Sequence, residues 1–594
     1  MEKLKNIFNK SKYLLMILIF FGSVYIINNV YVFGLIFKNY FSLYPLCLTL
    51  FYVSIIIIIN FLLPKIGKRI YLTIIQVIFS LITIANYFYI NYFNYLFSWS
   101  DLTLGKEGAT FISSIFPLID IRIISVLIYF IVIIVLTFLW TPNCRIKFTK
   151  KITIPIIIYV LMITTIYINI TQVKLKSNGF FNSVDSKSVL SNESYYYTEW
   201  VNNVNLVKIV GIYEYTFKDL YRLFFNNDNK NAAYNYVDNM LESYENKVDK
   251  DNEYYGIFKD KNLILIMMES FDDWQMTKKS TPTIYKLKQK GIDFTNHHSL
   301  TYVTGKTAQS EFIANTGIYP KFNSLSPHYA YYNNTYDYSL ANLFKNKGYK
   351  SNAYHRSNGA IYNREKMLLS LGYERYIDYS AVGLNNDTMD LDTAFISGAY
   401  PSMTKSEKFM HFWITFSNHP DYTLNKKECS LHYDKMKEAF PDEKSDIKLC
   451  GYAQAYEMDS AFKILIENLE KDNLLEDTVI IAYSDHPNGD YYSSKESKKK
   501  NFTQMFIYNP ILESKKIDVL TNTINIMPMI NSLFALDSQY FMASYNPLLE
   551  KESYLLFDDL TIFENNEYKP IDESRLKNVE MSKNLLISDY YNKK

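Results

Sequence analysis

Five apolar runs crowd the first 170 residues, at 13–36, 43–63, 70–90, 123–140 and 152–168. Each is close to the roughly 20 residues a helix needs to cross the hydrocarbon core of a bilayer. One such run also suits a buried core helix. Five in succession, with charges only between them, predict five membrane spans. The 594 residues exceed one domain, and a mean hydropathy near zero averages two unlike halves.

Basic residues orient the spans. Lys3, Lys5, Lys10 and Lys12 precede the first, Lys65, Lys68 and Arg69 follow the second, and Arg145, Lys147, Lys150 and Lys151 follow the fourth. The alternate loops carry chiefly Lys38 and Lys106, with Arg122 at a span edge. Basic clusters mark the cytoplasmic side, so everything after about residue 172 is expected outside the cell. The first span has no small-residue cleavage site behind it and reads as an anchor. The expected domains are a five-span transmembrane domain over 1–170, an extracellular linker over 171–255 and a catalytic domain over 256–594. Within the linker, residues 204–225 have the pattern of an amphipathic helix. Their few basic residues favour packing on the following domain over a position on the lipid surface.

From about residue 254 the pattern alternates strand and helix. Short apolar runs at 262–268, 350–354, 411–416 and 478–483 suit buried strands of a sheet covered by helices on both faces, so the fold class is α/β. In such sheets ligands bind beyond the carboxyl ends of the strands. The residues found there are Glu269 and Ser270, His355, the sequence Ser417-Asn418-His419, and Ser484-Asp485-His486. Thr307 joins them at a loop-to-helix turn after Gly305 and Lys306. A threonine there serves as a plain helix cap, a metal ligand or a nucleophile, and the helix start stabilises an anion.

A lone histidine after a strand is ordinarily a hydrogen-bonded surface or core residue, but all eight histidines lie beyond residue 296, which concentrates metal and acid–base chemistry in the second half. His297 and His298 read as supporting or structural, and His328, His411 and His432 have no informative flanks. Glu269, Thr307, Asp485 and His486 together supply two carboxylates, one alcohol oxygen and one imidazole. Hard oxygen donors with a single nitrogen suit Mn²⁺ or Mg²⁺, with Zn²⁺ as a further candidate. A divalent ion on the threonine oxygen makes it a nucleophile at neutral pH, and it neutralises an anion that the two carboxylates would otherwise repel.

The motifs N-L-I-L-I-M-M-E-S-F (262–271), G-K-T-A-Q-S-E-F (305–312), N-R (363–364), S-N-H (417–419) and S-D-H (484–486) resemble those of membrane-anchored phosphoglycerol transferases of the lipoteichoic acid synthase type, in the alkaline phosphatase and sulfatase superfamily. The resemblance extends to the layout of five spans followed by an outward-facing domain. It implies that Thr307 takes glycerol phosphate from phosphatidylglycerol and passes it to a glycolipid or teichoic-acid-type polymer at the membrane of a Gram-positive-type bacterium, with no nucleic acid involved. It also implies that Glu269, Thr307, Asp485 and His486 hold the metal. Arg364, His419, Tyr362 and His355 would contact phosphate and glycerol, with His419 also a proton donor or acceptor. Arg364 suits a phosphate because its planar fork makes paired hydrogen bonds.

Two positions depart from that family. It usually carries an acid where Ser357 stands and a tryptophan where Tyr362 stands, so head groups other than glycerol, such as phosphoethanolamine, enter as alternatives. Water as acceptor would make the chain a phosphodiesterase or phosphatase, and a scaffold that binds head groups without turnover is the non-enzymatic reading. A scaffold has no need of two carboxylates that repel each other without an ion. The modified Cys or Ser followed by Pro and Arg of a sulfatase is absent around Thr307. Cys47 is expected in the membrane and Cys144 in the cytoplasm, whereas Cys429 and Cys450 would lie outside, where a disulfide persists; a bond and two free thiols are both open.

Overall fold

The computed structural model describes residues 2–29, 43–93, 96–104, 119–142, 150–175, 196–198, 200, 203–225, 229–242, 244, 250, 252–300, 306–321, 326–385, 391–488, 501–551, 553–557 and 560–593. They form two compact units, the first Met1–Asn227 with Phe322–Ser324, the second Asp228–Lys321 with Leu325–Lys594.

In the first unit, helices over Leu43–Leu62, Lys65–Asn91, Ile121–Trp140 and Thr153–Gln172 are long and apolar enough to cross a membrane. These match the second to fifth expected spans. The first lies in a helix over Glu2–Ile27 whose apolar part, Ser11–Ile27, is shorter, and residues 30–36 of that expected span fall outside the described residues, as does Cys144. Polar side chains join the helices. Tyr13 Oη donates to Asn60 Oδ1 at 3.0 Å, Asn28 Nδ2 to Thr83 Oγ1 at 2.9 Å, and Thr137 Oγ1 to Gln76 Oε1 at 2.8 Å. Small polar contacts of this kind hold apolar helices in register where burial from water supplies no drive.

The amphipathic segment is helical, as its pattern predicts. It is a helix over Asn203–Phe225 that packs within the first unit. Gly211 breaks it with φ 81°, and a Cβ there would come within 3.2 Å of Pro45. Only glycine satisfies both constraints. Beyond the break, Glu214 accepts from Tyr52 Oη at 2.8 Å and Tyr197 Oη at 2.6 Å, and Phe217 stacks on Tyr52 at 4.6 Å. A buried carboxylate with one of its tyrosine donors, Tyr52, on the helix over Leu43–Leu62 anchors the segment there.

The second unit is built on an eight-stranded sheet. Its strands are β1 (Asn262–Met268), β2 (Ile292–Phe294), β4 (Lys350–His355), β5 (Arg375–Ile377), β6 (Phe409–Ile414), β7 (Thr478–Ser484), β8 (Met505–Tyr508) and β9 (Lys515–Ile517), in the order β5-β4-β6-β1-β7-β8-β2-β9. Two short strands, β3 (His297–His298) and β10 (Thr521–Asn522), pair separately. The four expected runs are β1, β4, β6 and β7, which with β5 form a continuous parallel half. Every residue of β1, β6 and β7 is buried, as strands covered on both faces must be. Ile264, Ile266, Trp413 and Ile480 pack there against Phe395 of the helix over Asp392–Met403 and against Phe462 and Leu465 of the helix over Asp446–Lys471. The other half turns antiparallel at β7–β8 and β8–β2. Parallel pairing of β4, β6, β1 and β7 brings their carboxyl ends to one edge of the sheet. Cys429 and Cys450 are joined in a disulfide, 21 residues apart in the chain.

Candidate active site

Glu269 and Ser270 follow β1, and Asp485 and His486 follow its neighbour β7, so parallel pairing alone sets them side by side. The turn after β1 is held from several directions. Ser270 takes φ 48°, its N–H donates to Asp485 Oδ1 at 2.7 Å, and its hydroxyl donates to Glu269 Oε1 at 2.7 Å. Asn418 Nδ2 reaches the carbonyls of Glu269 and Ser270, each at 3.1 Å. A left-handed non-glycine residue fixed this tightly marks a turn whose shape serves a site.

Thr307 comes from a third element. It is the second residue of the helix over Lys306–Thr316, and its Oγ1 lies 3.3 Å from His486 Nε2. The hydroxyl therefore faces the strand ends. The same His486 nitrogen lies 3.3 Å from Asp485 Oδ2 and 3.8 Å from Glu269 Oε1. One ligand atom each from Glu269, Asp485 and His486 fits within 4.8 Å of the others. His486 Nδ1 lies 3.0 Å from the Pro487 carbonyl and donates to it, which leaves Nε2 as the lone-pair nitrogen.

Charge balance supports a cation. Burial and then the neighbouring Asp485 push Glu269 up to about 8, and burial pushes Asp485 up to about 7. Asp485 Oδ2 is buried without a hydrogen bond of acceptable geometry. Two buried carboxylates, an imidazole lone pair and a hydroxyl fit a hard divalent ion, which relieves both the repulsion and the orphaned oxygen.

A second wall rises from β4 and β6. Arg364, buried at the start of the helix over Arg364–Ser370, donates to Glu311 Oε1 through Nε at 2.8 Å and Nη2 at 2.7 Å. Glu311 Oε2 meets His328 Nε2 at 3.1 Å. Burial would raise the Glu311 pKa, but the charge of Arg364 and the hydrogen bonds from His328 and Arg364 outweigh it and hold the group below the usual carboxylate range. Tyr362, with φ 57°, lies 5.6 Å from the Arg364 guanidinium carbon. His355 Nδ1 bonds the Ile414 carbonyl at 2.9 Å, and His419 Nδ1 bonds the Pro420 carbonyl. Burial lowers both imidazoles, His355 well below its ordinary value and His419 to about 4, where Lys426 adds to the effect. Both rings are neutral at physiological pH, each with its remaining nitrogen an acceptor. Asp392 fixes the loop that carries His419 by accepting from Phe416 N at 2.9 Å and Ser417 N at 2.8 Å.

The structure therefore gathers Glu269, Thr307, Asp485 and His486 on one side and Arg364, Tyr362, His355 and His419 on the other. His297 and His298 sit in β3 against β10, with His297 Nδ1 3.2 Å from Thr521 Oγ1. His411 is structural and bonds the Met403 carbonyl at 2.8 Å, while His432 pairs with Glu457 at 2.6 Å. Sequence reasoning missed Glu311, His328 and Asp392. Glu311 carried a signal, since it stands four residues after Thr307 on the same helical stripe. His328 and Asp392 carried none.

An open sheet with an acidic, histidine-containing cluster beyond β1 and β7, faced by a helix-borne threonine, defines a phosphatase/sulfatase-like metal-site domain. Residues 261–536, within the second unit, match the Sulfatase family. The chain is homologous to the lipoteichoic acid synthase of Staphylococcus aureus (strain USA300), 30% identical over 299 residues that make up 47% of this chain and 44% of that protein. It spans less than half the length of the curated relatives it matches. Among solved structures, the lipoteichoic acid synthase LtaP from Listeria monocytogenes is 19% identical with a TM-score of 0.47, covering 60% of this chain and 98% of that one. The Streptococcus pyogenes phosphoglycerol transferase GacH, solved with sn-glycerol-1-phosphate, is 17% identical with a TM-score of 0.39, covering 61% and 92%.

Proposed function

We propose that this chain is a membrane-anchored phosphoglycerol transferase whose second unit faces the outside of the cell. The observation that carries the reading is the convergence of the Thr307 hydroxyl with Glu269, Asp485 and His486 at the ends of two adjacent parallel strands. Five spans and a cytoplasmic amino terminus complete the reading, on the charge pattern of the loops.

In the first half-reaction, Thr307 Oγ1 forms a bond to the phosphorus of a phosphatidylglycerol-type lipid. The bond from phosphorus to the diacylglycerol oxygen breaks, diacylglycerol leaves with the hydroxyl proton, and glycerol phosphate stays esterified on Thr307. In the second, a hydroxyl of a glycolipid or teichoic-acid-type chain attacks that phosphorus and Thr307 recovers its proton. Glu269, Asp485, His486 and Thr307 would hold a divalent ion, Mn²⁺ first among Mn²⁺, Mg²⁺ and Zn²⁺, which when bound lowers the hydroxyl pKa and neutralises phosphate charge. Arg364, aligned by Glu311, presents the rest of its fork to phosphate oxygens. His419 is neutral and its Nδ1 is engaged, so Nε2 accepts a hydrogen bond from a hydroxyl of the glycerol or of the incoming acceptor.

The test is incubation of the full chain in detergent micelles with head-group-labelled phosphatidylglycerol and Mn²⁺, beside Thr307→Ala. Label should enter a polymer or glycolipid product, and the variant should lose at least about a thousandfold in rate. A Thr307→Ala enzyme that keeps its rate would end this mechanism. Free glycerol phosphate as sole product would make water the acceptor, and turnover of phosphatidylethanolamine in preference would change the head group.

A further inference from the structure

Beyond Glu269 and Ser270, the turn after β1 ends in Gln275, a fully buried amide outside the transfer steps. Its Nε2 donates to Asn418 Oδ1 at 2.7 Å and to the Gly451 carbonyl at 2.9 Å. Its Oε1 accepts from Asn418 Nδ2 at 3.1 Å, from Asp272 N at 3.2 Å and from Asn488 Nδ2 at 3.2 Å. One side chain therefore joins the turn after β1, the loop after β6 that carries His419, the segment after β7 that carries Asp485 and His486, and the helix over Asp446–Lys471.

Gln275 and Asn418 form a reciprocal amide pair with a fixed sense. The Asp272 N–H can only donate and the Gly451 carbonyl can only accept, which decides the two ends of Gln275 and, through it, those of Asn418. The Asn418 nitrogen is then the end that meets the Glu269 and Ser270 carbonyls, so the pair reaches the backbone of an ion ligand. Tyr422, from the same loop as Asn418, accepts from Asn488 Nδ2 at 2.8 Å and closes the cluster. Gly451 lets the helix come this close, because a Cβ there would overlap the ring of Trp274, the residue before Gln275. Asn418, Asn488 and Tyr422 are buried as well, so removing one partner strands another.

Resting on the transferase reading, we infer that Gln275 is a positioning residue that holds the ends of β1, β6 and β7 at the spacing the ion site and the His419 loop require. It acts through Asn418 on the backbone of Glu269, and through Asn488 on the segment that carries Asp485 and His486. Partners that orient metal ligands from behind govern affinity without touching the ion.

Gln275→Met keeps the volume and removes every one of these bonds. The first measurement needs no ion: hydrogen exchange of the full chain in detergent micelles. Peptides over 269–275, 417–422 and 485–488 should all exchange at least about tenfold faster in Gln275→Met, while β1 itself stays within about twofold of wild type. Acceleration confined to 269–275 overturns the inference. Should Gln275→Met not fold, Tyr422→Phe decides: it takes one acceptor from the cluster and should accelerate all three segments about threefold, and an unchanged 269–275 overturns the inference. The second measurement is Mn²⁺ affinity, beside Leu469→Ala, a core variant near the other end of the helix over Asp446–Lys471. Gln275→Met should bind Mn²⁺ about 10–100-fold more weakly, whereas Leu469→Ala should stay within about twofold, because lost stability alone leaves the folded site intact. Gln275→Met with the affinity and transfer rate of wild type leaves the reading standing and overturns the inference. If wild type binds none of Mn²⁺, Mg²⁺ and Zn²⁺ yet the three segments open together, the transferase reading fails and the tie through Gln275 stands.

Discussion

Truncating Glu311 should unfasten the site from within. Its carboxylate is fully buried and lies 2.7 Å from Arg364, itself buried, with His328 on its other oxygen at 3.1 Å. At that separation the attraction is about 6 kcal/mol at an effective dielectric near 20, and most of it offsets the cost of dehydrating two charges. Removing one partner leaves the other buried without compensation, so Glu311→Ala and Arg364→Ala should each destabilise the second unit by about 3–5 kcal/mol. That corresponds to a fall of roughly 4–7 °C in its unfolding midpoint, at about 2.1 cal/mol/K of unfolding entropy per residue. The double variant leaves no stranded charge and should cost well under the sum, with a coupling of at least about 2 kcal/mol. Calorimetry of the full chain and the three variants in detergent micelles, following the transition of the second unit, measures the cycle. Additivity within about 0.5 kcal/mol would refute a direct buried pair. Both single variants should also lose transfer activity, since Arg364 loses either its side chain or its alignment.

Three further outcomes follow from the same geometry. Without an ion, Glu269 is held up near 8 and Asp485 near 7, so Mn²⁺ binding should release protons and tighten at least about tenfold from pH 6 to pH 7, levelling above about 8; calorimetric titration in two buffers of different ionisation heat reads this, and a flat affinity would count against the carboxylate site. Burial pushes Asp392 up to about 7, so it holds its proton more tightly folded than unfolded, and its contribution is full below about pH 4 and declines as pH rises towards 7. The wild type should therefore lose ground to Asp392→Asn by up to about 1.4 kcal/mol per pH unit in that window, read as unfolding midpoints at pH 5 and pH 7.5, and a constant difference would contradict it. Cys429→Ser, which opens a loop with a separation of 21 residues, should cost about 3 kcal/mol, and the unreduced wild-type chain should show neither Cys429 nor Cys450 alkylated by mass spectrometry.

Much of the plan was legible because its signals are local. Unbroken apolar runs announce membrane helices, and short ones bounded by polar residues announce buried strands. The polar residue that ends each run falls at the carboxyl edge whatever the sheet order, which is why Glu269, His355, His419, Asp485 and His486 were in view before any coordinates. The three-residue strands β2 and β9 are too short to carry a period, so half of the sheet was not. An amphipathic stripe shows that the helix over Asn203–Phe225 has a buried face but does not name the surface that covers it, and Gly211 against Pro45 settled the matter.

Chain chemistry alone determined the membrane helices, the parallel core and the inventory of metal-ligating and nucleophilic groups, since each depends on side chains near one another in sequence. Only tertiary structure decided which groups act together. Glu311 and Arg364 are 53 residues apart, and Thr307 and His486 are 179 apart. Hydrogen bonds and charge pairs act over a few ångströms, and no local pattern records which distant residues folding brings within that reach.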